Sequence, residues 1–192
     1  MSAIWWWVRH GPTHERAFVG HRDVPADLSD RAALDRLAAY LPDDALVVSS
    51  DLIRSVTTAD AIAAGRPRLP HARALREFDF GAWDGLTFDT VSSRDPDLSR
   101  AYWETPGDIT PPGGESWNAA AARIAPFVDA LNAAHPQRHI VAVAHFGVIL
   151  TQIARATGQT PAQVLAQKID TLSVSRVTYG ASGTAAPINH IP

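Results

Sequence analysis

The stretch IWWWVRHG, residues 4–11, decides the fold of this chain: five apolar residues run unbroken into an arginine, a histidine and a glycine. The run does not alternate, so it reads as a strand buried on both faces, with Trp5 and Trp7 toward one layer of helices and Trp6 toward the other. Such a strand belongs with parallel neighbours, and parallel neighbours need crossover connections that lay helices over both faces of the sheet. The chain should therefore alternate short apolar runs with helical patterns.

Two further runs, ALVVSS (residues 45–50) and HIVAVAH (residues 139–145), read as buried strands. Residues 28–41 read as a helix with Ser29 as N-cap and Leu34, Leu37 and Leu41 at helical spacing. A second helix is expected over residues 52–64, before Gly65 and Pro67. A third, capped by Ser116, spans Trp117 to Ala134 with a buried stripe of Ile124, Phe127, Val128 and Leu131 and a kink at Pro126. Shorter helices should begin near Gly147 and at Pro161. LSVSRVTYG, residues 172–180, alternates as a half-buried strand and is placed to pair with the last residues. Residues 66–112 mix proline, glycine and aromatics and read as a loop-rich insertion covering the active site, with little regular structure beyond one short helix. The expected architecture is a single domain over residues 1–192, an α/β fold with three layers (α/β/α) and a mixed, mainly parallel central sheet.

Composition narrows the function. With 17 Lys and Arg against 20 Asp and Glu the formal charge is −3, which offers no overall field for a polyanion, so no nucleic-acid partner is expected. The absence of cysteine excludes disulfides, thiolate zinc sites and cysteine nucleophiles. The apolar run at residues 3–8 is shorter than a signal-peptide core and lacks a basic flank. No stretch is long enough to span a bilayer, so the expectation is a cytoplasmic protein with no membrane partner.

In parallel sheets ligands bind outside the carboxyl ends of the strands. Directly after the three buried strands stand Arg9 and His10, then residues 49–54 ending in Arg54, and then His145. Each alone is an ordinary polar residue; together, on neighbouring strands, they converge on one spot. Phosphoryl transfer through a histidine wants such a set. A neutral imidazole attacks phosphorus with one ring nitrogen while the other is held by a hydrogen bond. His10 is the candidate nucleophile. Guanidinium forks match the equatorial oxygens of the transferring group, a role for Arg9 and Arg54, and His145, protonated by the bound dianion, adds a further donor. The leaving oxygen needs a proton, for which Glu77 in LREFDFGAWDG (residues 75–85) is the leading acid because apolar neighbours raise a carboxyl pKa. Asp79 and Asp84 are rivals, and an exposed Glu77 paired with Arg76 fits the same pattern.

The blocks VRHGPT, SSDLIRSVTTA, LREFDFGAWDG, PPGGES and VAHFGVI occur in that order over residues 8–149. They resemble the signature blocks of the histidine phosphatase superfamily, which includes the cofactor-dependent phosphoglycerate mutases. The resemblance implies His10 as the phosphorylated nucleophile, Arg9, Arg54 and His145 as phosphate ligands, Glu77 as proton donor, and neither a metal nor an organic cofactor. The modest length and PPGGES most resemble the small phosphatases, including the alpha-ribazole phosphatase-like proteins. Two positions depart from the pattern: Arg16 stands where many members have asparagine, and Phe146 where glycine is common. With Thr13 they complete the candidate substrate-side residues.

The expected function is a phosphomonoesterase acting on a small phosphorylated metabolite through phosphohistidine. A mutase shares the first step and then returns the phosphoryl group to another hydroxyl. A non-catalytic phosphate-binding protein of the same fold is a third class. A metal-dependent hydrolase, suggested by His10, His14 and His21, ranks lower because Pro12 breaks the helix that would align two of them. Trp83, Trp103 and Trp117 read as packing for a small satellite core, and Arg22, Arg94 and Arg100 as mostly solvated. A homodimer through the C-terminal strand edge is a further expectation.

Overall fold

Strand β1 (Ile4–Arg9) is the centre of a five-stranded sheet with β2 (Leu46–Ser49), β3 (His139–Ala144), β4 (Val174–Thr178) and β5 (Thr184–Ala185), in the order β2-β3-β1-β4-β5. The structure is a computed structural model and describes residues 2–192. β1 and β2 both run parallel to β3, while β4 is antiparallel to β1 and to β5. Register fixes the consequence for function: Arg9 pairs with Ala144 and Ser49 with Val143, so residues 10, 50 and 145 leave the sheet together at one edge.

Among the described residues seven α-helices accompany the sheet: α1 (Arg31–Tyr40), α2 (Ile53–Ile62), α3 (Phe88–Arg94), α4 (Pro96–Glu104), α5 (Trp117–Ala134), α6 (Phe146–Thr157) and α7 (Pro161–Leu165). Pleating sorts the core into two layers. Trp5, Trp7, Ile140, Ala142 and Ala144 pack with Ile124 and Val128 of α5 and with α6. Val8, Val141 and Val143 pack with Leu34, Leu37, Ala59 and Ile62 of α1 and α2, and Trp6 joins that side. The indoles stand as the strand's period requires.

Each indole N–H also has a partner, which answers why this strand tolerates three tryptophans. Trp5 Nε1 donates to Asn132 Oδ1 (2.9 Å), Trp7 Nε1 to Tyr179 Oη (3.2 Å) and Trp6 Nε1 to His139 Nδ1 (3.1 Å). Trp5 and Trp7 stack at 5.0 Å, and Arg176 lies over the half-buried Trp6 ring.

Boundaries differ from the sequence expectation by a few residues. Helix α1 is capped by Asp30, which accepts from Ala33 N at 3.0 Å, while Asp27 accepts from the amide of Ser29 just before the helix. Helix α2 stops at Ile62, since Ala64 and Gly65 adopt φ of 47° and 82°. Helix α5 is capped by Ser116 as expected and continues through Pro126.

Residues 66–112 carry more regular structure than their composition suggests: α3 and α4, plus single turns at Arg73–Leu75 and Gly81–Trp83. The two helices are short and carry few apolar residues, but Thr87 caps α3 and Pro96 opens α4. They fold around Trp83, whose Nε1 donates to Asp95 Oδ2 (2.8 Å) at their junction, with Val91, Tyr102 and Trp103 packed on it. Trp117 instead belongs to the main core. Strand β4 is flanked by β1 and by β5 with a bridge from Val174 to His190, so at the C-terminal side of the sheet the edge strand is the two-residue β5.

The buried Arg66 closes the first crossover. Its guanidinium donates to the carbonyls of Ala38 (2.9 Å), Leu41 (2.7 Å), Pro42 (2.7 Å), Ile62 (3.3 Å) and Ala63 (3.3 Å), gathering the C-terminal ends of α1 and α2. Terminal carbonyls left without donors are costly. Arg66→Ala is expected to destabilise the fold by about 3 kcal/mol, read as a lowered urea midpoint, and Arg66→Lys to recover only part because a single ammonium cannot span both helix ends.

Candidate active site

The nucleophile candidate stands where β1 ends. His10 is 6% exposed, and its Nδ1–H donates to the carbonyl of Gly11 at 2.8 Å, which leaves the lone pair on Nε2. Burial, reinforced by the Arg54 charge, lowers its pKa to about 3, so the ring is neutral at ordinary pH. Gly11 is fixed by close approach: a Cβ there would lie 2.6 Å from Leu28, and its amide donates to Thr58 Oγ1 at 3.0 Å.

Arg54, in the first turn of α2, is fully buried. It donates to the carbonyls of Arg22 (2.8 Å) and Gly20 (2.7 Å), and through Nε to His145 Nδ1 (3.2 Å). His145 then turns its Nε2–H toward Ser55 Oγ at 3.3 Å, and its ring centroid is 5.1 Å from that of His10. Burial and the neighbouring Arg54 hold the His145 pKa well below its ordinary value. His145 is thus neutral as the protein stands with one N–H to donate, and the charged donor expected from the sequence needs a second proton that an arriving phosphate dianion would stabilise. Arg9 donates through Nη1 to Ile169 O (2.7 Å) and lies 5.5 Å from the centre of the Phe146 ring; its buried Nε has no partner.

Glu77 is buried and faces the same cleft. Its two oxygens accept from the amides of Phe78 (2.9 Å) and Gly147 (3.1 Å), the latter in the first turn of α6. A Cβ on Gly147 would lie 2.6 Å from Glu77 Oε1, so glycine is required for this approach. Burial raises the carboxyl pKa against the opposing pull of the two amides and of Arg54 and Arg9. The rivals have other duties: Asp79 accepts from Gly81 N (2.9 Å), and Asp84 holds Arg22 Nε (3.1 Å). Arg76 makes a two-pronged pair with Asp51 rather than with Glu77.

A cleft joins Arg9, His10 and Glu77 to Thr13, Trp103 and Phe146. Thr13 and Phe146 are therefore wall residues. Arg16 is exposed and absent from the wall.

The match to known proteins agrees with this geometry. Residues 5–187 fit the family described as the histidine phosphatase superfamily, branch 1. The chain belongs to that superfamily. It is 34% identical over 158 residues to phosphoglycerate mutase-like protein 4 of Arabidopsis thaliana, covering 78% of this chain and 69% of that one. A mycobacterial glucosyl-3-phosphoglycerate phosphatase superposes with a TM-score of 0.81 at 28% identity, covering 95% of each chain. An alpha-ribazole-5'-P phosphatase-like structure from Escherichia coli shares the fold with a TM-score of 0.83 at 23% identity, over 99% of this chain and 97% of that one. Against three mycobacterial relatives the chain spans about half of their length, 51%.

In this member of the superfamily the segment carrying Glu77 is held by two residues to which the sequence alone gives no role. Arg123 on α5 donates to the carbonyls of Ala74 (2.7 Å) and Arg76 (3.1 Å) and pairs with Glu115 Oε2 (2.6 Å), which also accepts from Asp79 N (3.0 Å). Glu115 lies inside the quoted PPGGES block, so the block was visible and its task was not. The same loop packs under the Glu77 segment, where a Cβ on Gly81 would meet Pro112 O at 2.3 Å.

The other histidines and arginines take local partners. The exposed His14 pairs with Asp27 (2.8 Å), and His21 donates to the Glu77 carbonyl (3.0 Å), so His10, His14 and His21 do not form one ligand set. Among the described residues no group of three or more His, Cys, Asp or Glu side chains could hold a metal, and no helix is long and apolar enough to cross a membrane. Arg22 pairs with Asp84 and Arg94 with Asp95.

Proposed function

We propose that this chain is a phosphomonoesterase that hydrolyses a small phosphorylated metabolite through a phosphohistidine on His10. The supporting observation is a buried, neutral imidazole whose Nδ1–H is held by Gly11 and whose partners at the sheet edge are two arginines, a second histidine and a buried carboxyl. The lone pair of His10 Nε2 attacks phosphorus; the bond to the ester oxygen breaks, its electron pair stays on that oxygen, and the Glu77 carboxyl supplies the proton. Water then attacks the phosphohistidine and gives its proton to the Glu77 carboxylate. The P–N bond breaks, the pair returns to Nε2, and inorganic phosphate leaves. Arg9, Arg54 and His145 hold the equatorial oxygens throughout. The chain's own residues thus supply the charge the step needs without a metal ion.

The opening of the cleft gives water a path to the intermediate, which favours hydrolysis over return to a second hydroxyl. Phosphate release across a panel of phosphomonoesters, with the enzyme trapped mid-turnover, tests this reading. We expect a phosphoenzyme that is labile in acid and stable in base. Isomerisation of a phosphoglycerate faster than phosphate release would make the chain a mutase instead.

A further inference from the structure

Beside the cleft lies a second chamber, whose shared wall is Glu77, Phe80, Trp103 and Phe146. Its remaining surface is apolar, built largely from Phe78, Ile109, Trp117 and Leu165, and no lysine or arginine lines it. Two polar atoms of residues on this wall are buried without a hydrogen-bond partner: the Tyr102 hydroxyl and Trp103 Nε1. Tyr102 is 5% exposed. Among the described residues the remaining such side-chain atom is Arg9 Nε, in the adjoining cleft. Buried tyrosine hydroxyls and indole N–H groups ordinarily find partners, as Trp5, Trp6, Trp7 and Trp83 do here. All three unmet groups instead belong to residues lining the two adjoining spaces around Glu77.

Unsatisfied donors beside a proposed proton donor are available to a ligand. We propose that this chamber seats the alcohol part of the phosphate ester, and that it selects an uncharged, largely apolar leaving group carrying one hydrogen-bond acceptor, such as a ring nitrogen or an ether or carbonyl oxygen. The acceptor is taken by the Tyr102 hydroxyl and Trp103 Nε1–H, while the Phe80, Trp117 and Phe146 rings enclose the body. A leaving group with its own carboxylate finds no cation in the chamber and meets the Glu77 carboxyl. This substrate class rests on the phosphomonoesterase reading above.

Three substrates test it: benzyl phosphate, its pyridylmethyl counterpart of the same shape with one ring nitrogen, and 3-phosphoglycerate, assayed for phosphate release at a pH where the pyridine is unprotonated. We expect kcat/KM to favour the pyridylmethyl ester over the benzyl ester by about tenfold, the value of one added hydrogen bond, and both over 3-phosphoglycerate. Tyr102→Phe and Trp103→Phe, each checked by thermal melting, should bring the pyridylmethyl-to-benzyl ratio toward one. A ratio unchanged in both folded variants, or equal loss on both esters, means that the unmet donors serve only a structural water and overturns the proposal, as does preference for 3-phosphoglycerate. In those cases phosphate release persists and the phosphomonoesterase reading survives. No turnover of any ester defeats both.

Discussion

His10→Ala is expected to lower phosphate release by roughly 10⁵-fold or more, the scale on which removal of a covalent nucleophile acts, and to abolish the acid-labile phosphoenzyme. The fold should survive, because the one hydrogen bond that the His10 side chain makes is to the neighbouring Gly11 carbonyl. Losing it and leaving a small cavity costs about 1–3 kcal/mol, readable as a modest fall in the urea midpoint. Inorganic phosphate should still bind to the variant, since Arg9 and Arg54 are untouched and Arg54 is anchored by the carbonyls of Gly20 and Arg22. Turnover within a hundredfold of the parent would assign the nucleophile elsewhere.

Glu77→Gln should reduce kcat by about 10²- to 10⁴-fold on alkyl phosphates and much less on 4-nitrophenyl phosphate, whose phenolate leaves without a proton. A uniform loss on both would mean that Glu77 only holds the loop. The pH dependence has a definite sign. Burial raises the Glu77 pKa above its ordinary 4.5, so the acid form persists upward from there and the first step is lost as pH rises through the raised value. The stability contribution has the same sign: it is complete below 4.5 and lost as pH rises through the folded pKa. His10, lowered to about 3, is already neutral across this window and does not set an acid limb near neutrality. The alkaline fall in kcat/KM should therefore vanish in Glu77→Gln. The variant also turns an amide N–H₂ toward the N–H of Phe78 or Gly147, a donor facing a donor, at a cost of about 1–3 kcal/mol.

Much of this site was legible because strand ends are legible. A run such as IWWWV or IVAVA announces a strand buried on both faces, and the residue after it must emerge at the sheet edge, so Arg9, His10 and His145 were placed by elementary geometry. Helices with strong caps and stripes, as at Ser116 and α5, were equally plain. The helices of residues 66–112 were not, because α3 and α4 are too short to show a period and exist by packing on Trp83. Arg16 was a reasonable anion ligand by sequence distance alone, but it lies in a loop, where spacing does not fix direction.

The sequence by itself determined the sheet, the edge where its chemistry gathers, and the family to which the chain belongs, because period and order survive in one dimension. Only the tertiary structure decided which carboxyl shares the cleft with His10, how His145 shares Arg54, what Glu115 and Arg123 hold, and that three indoles in one strand each find an acceptor. Those outcomes depend on hydrogen bonds between residues far apart in the chain, such as Trp7 with Tyr179 or Gly147 with Glu77, and burial makes every such partner obligatory without saying in advance who it is.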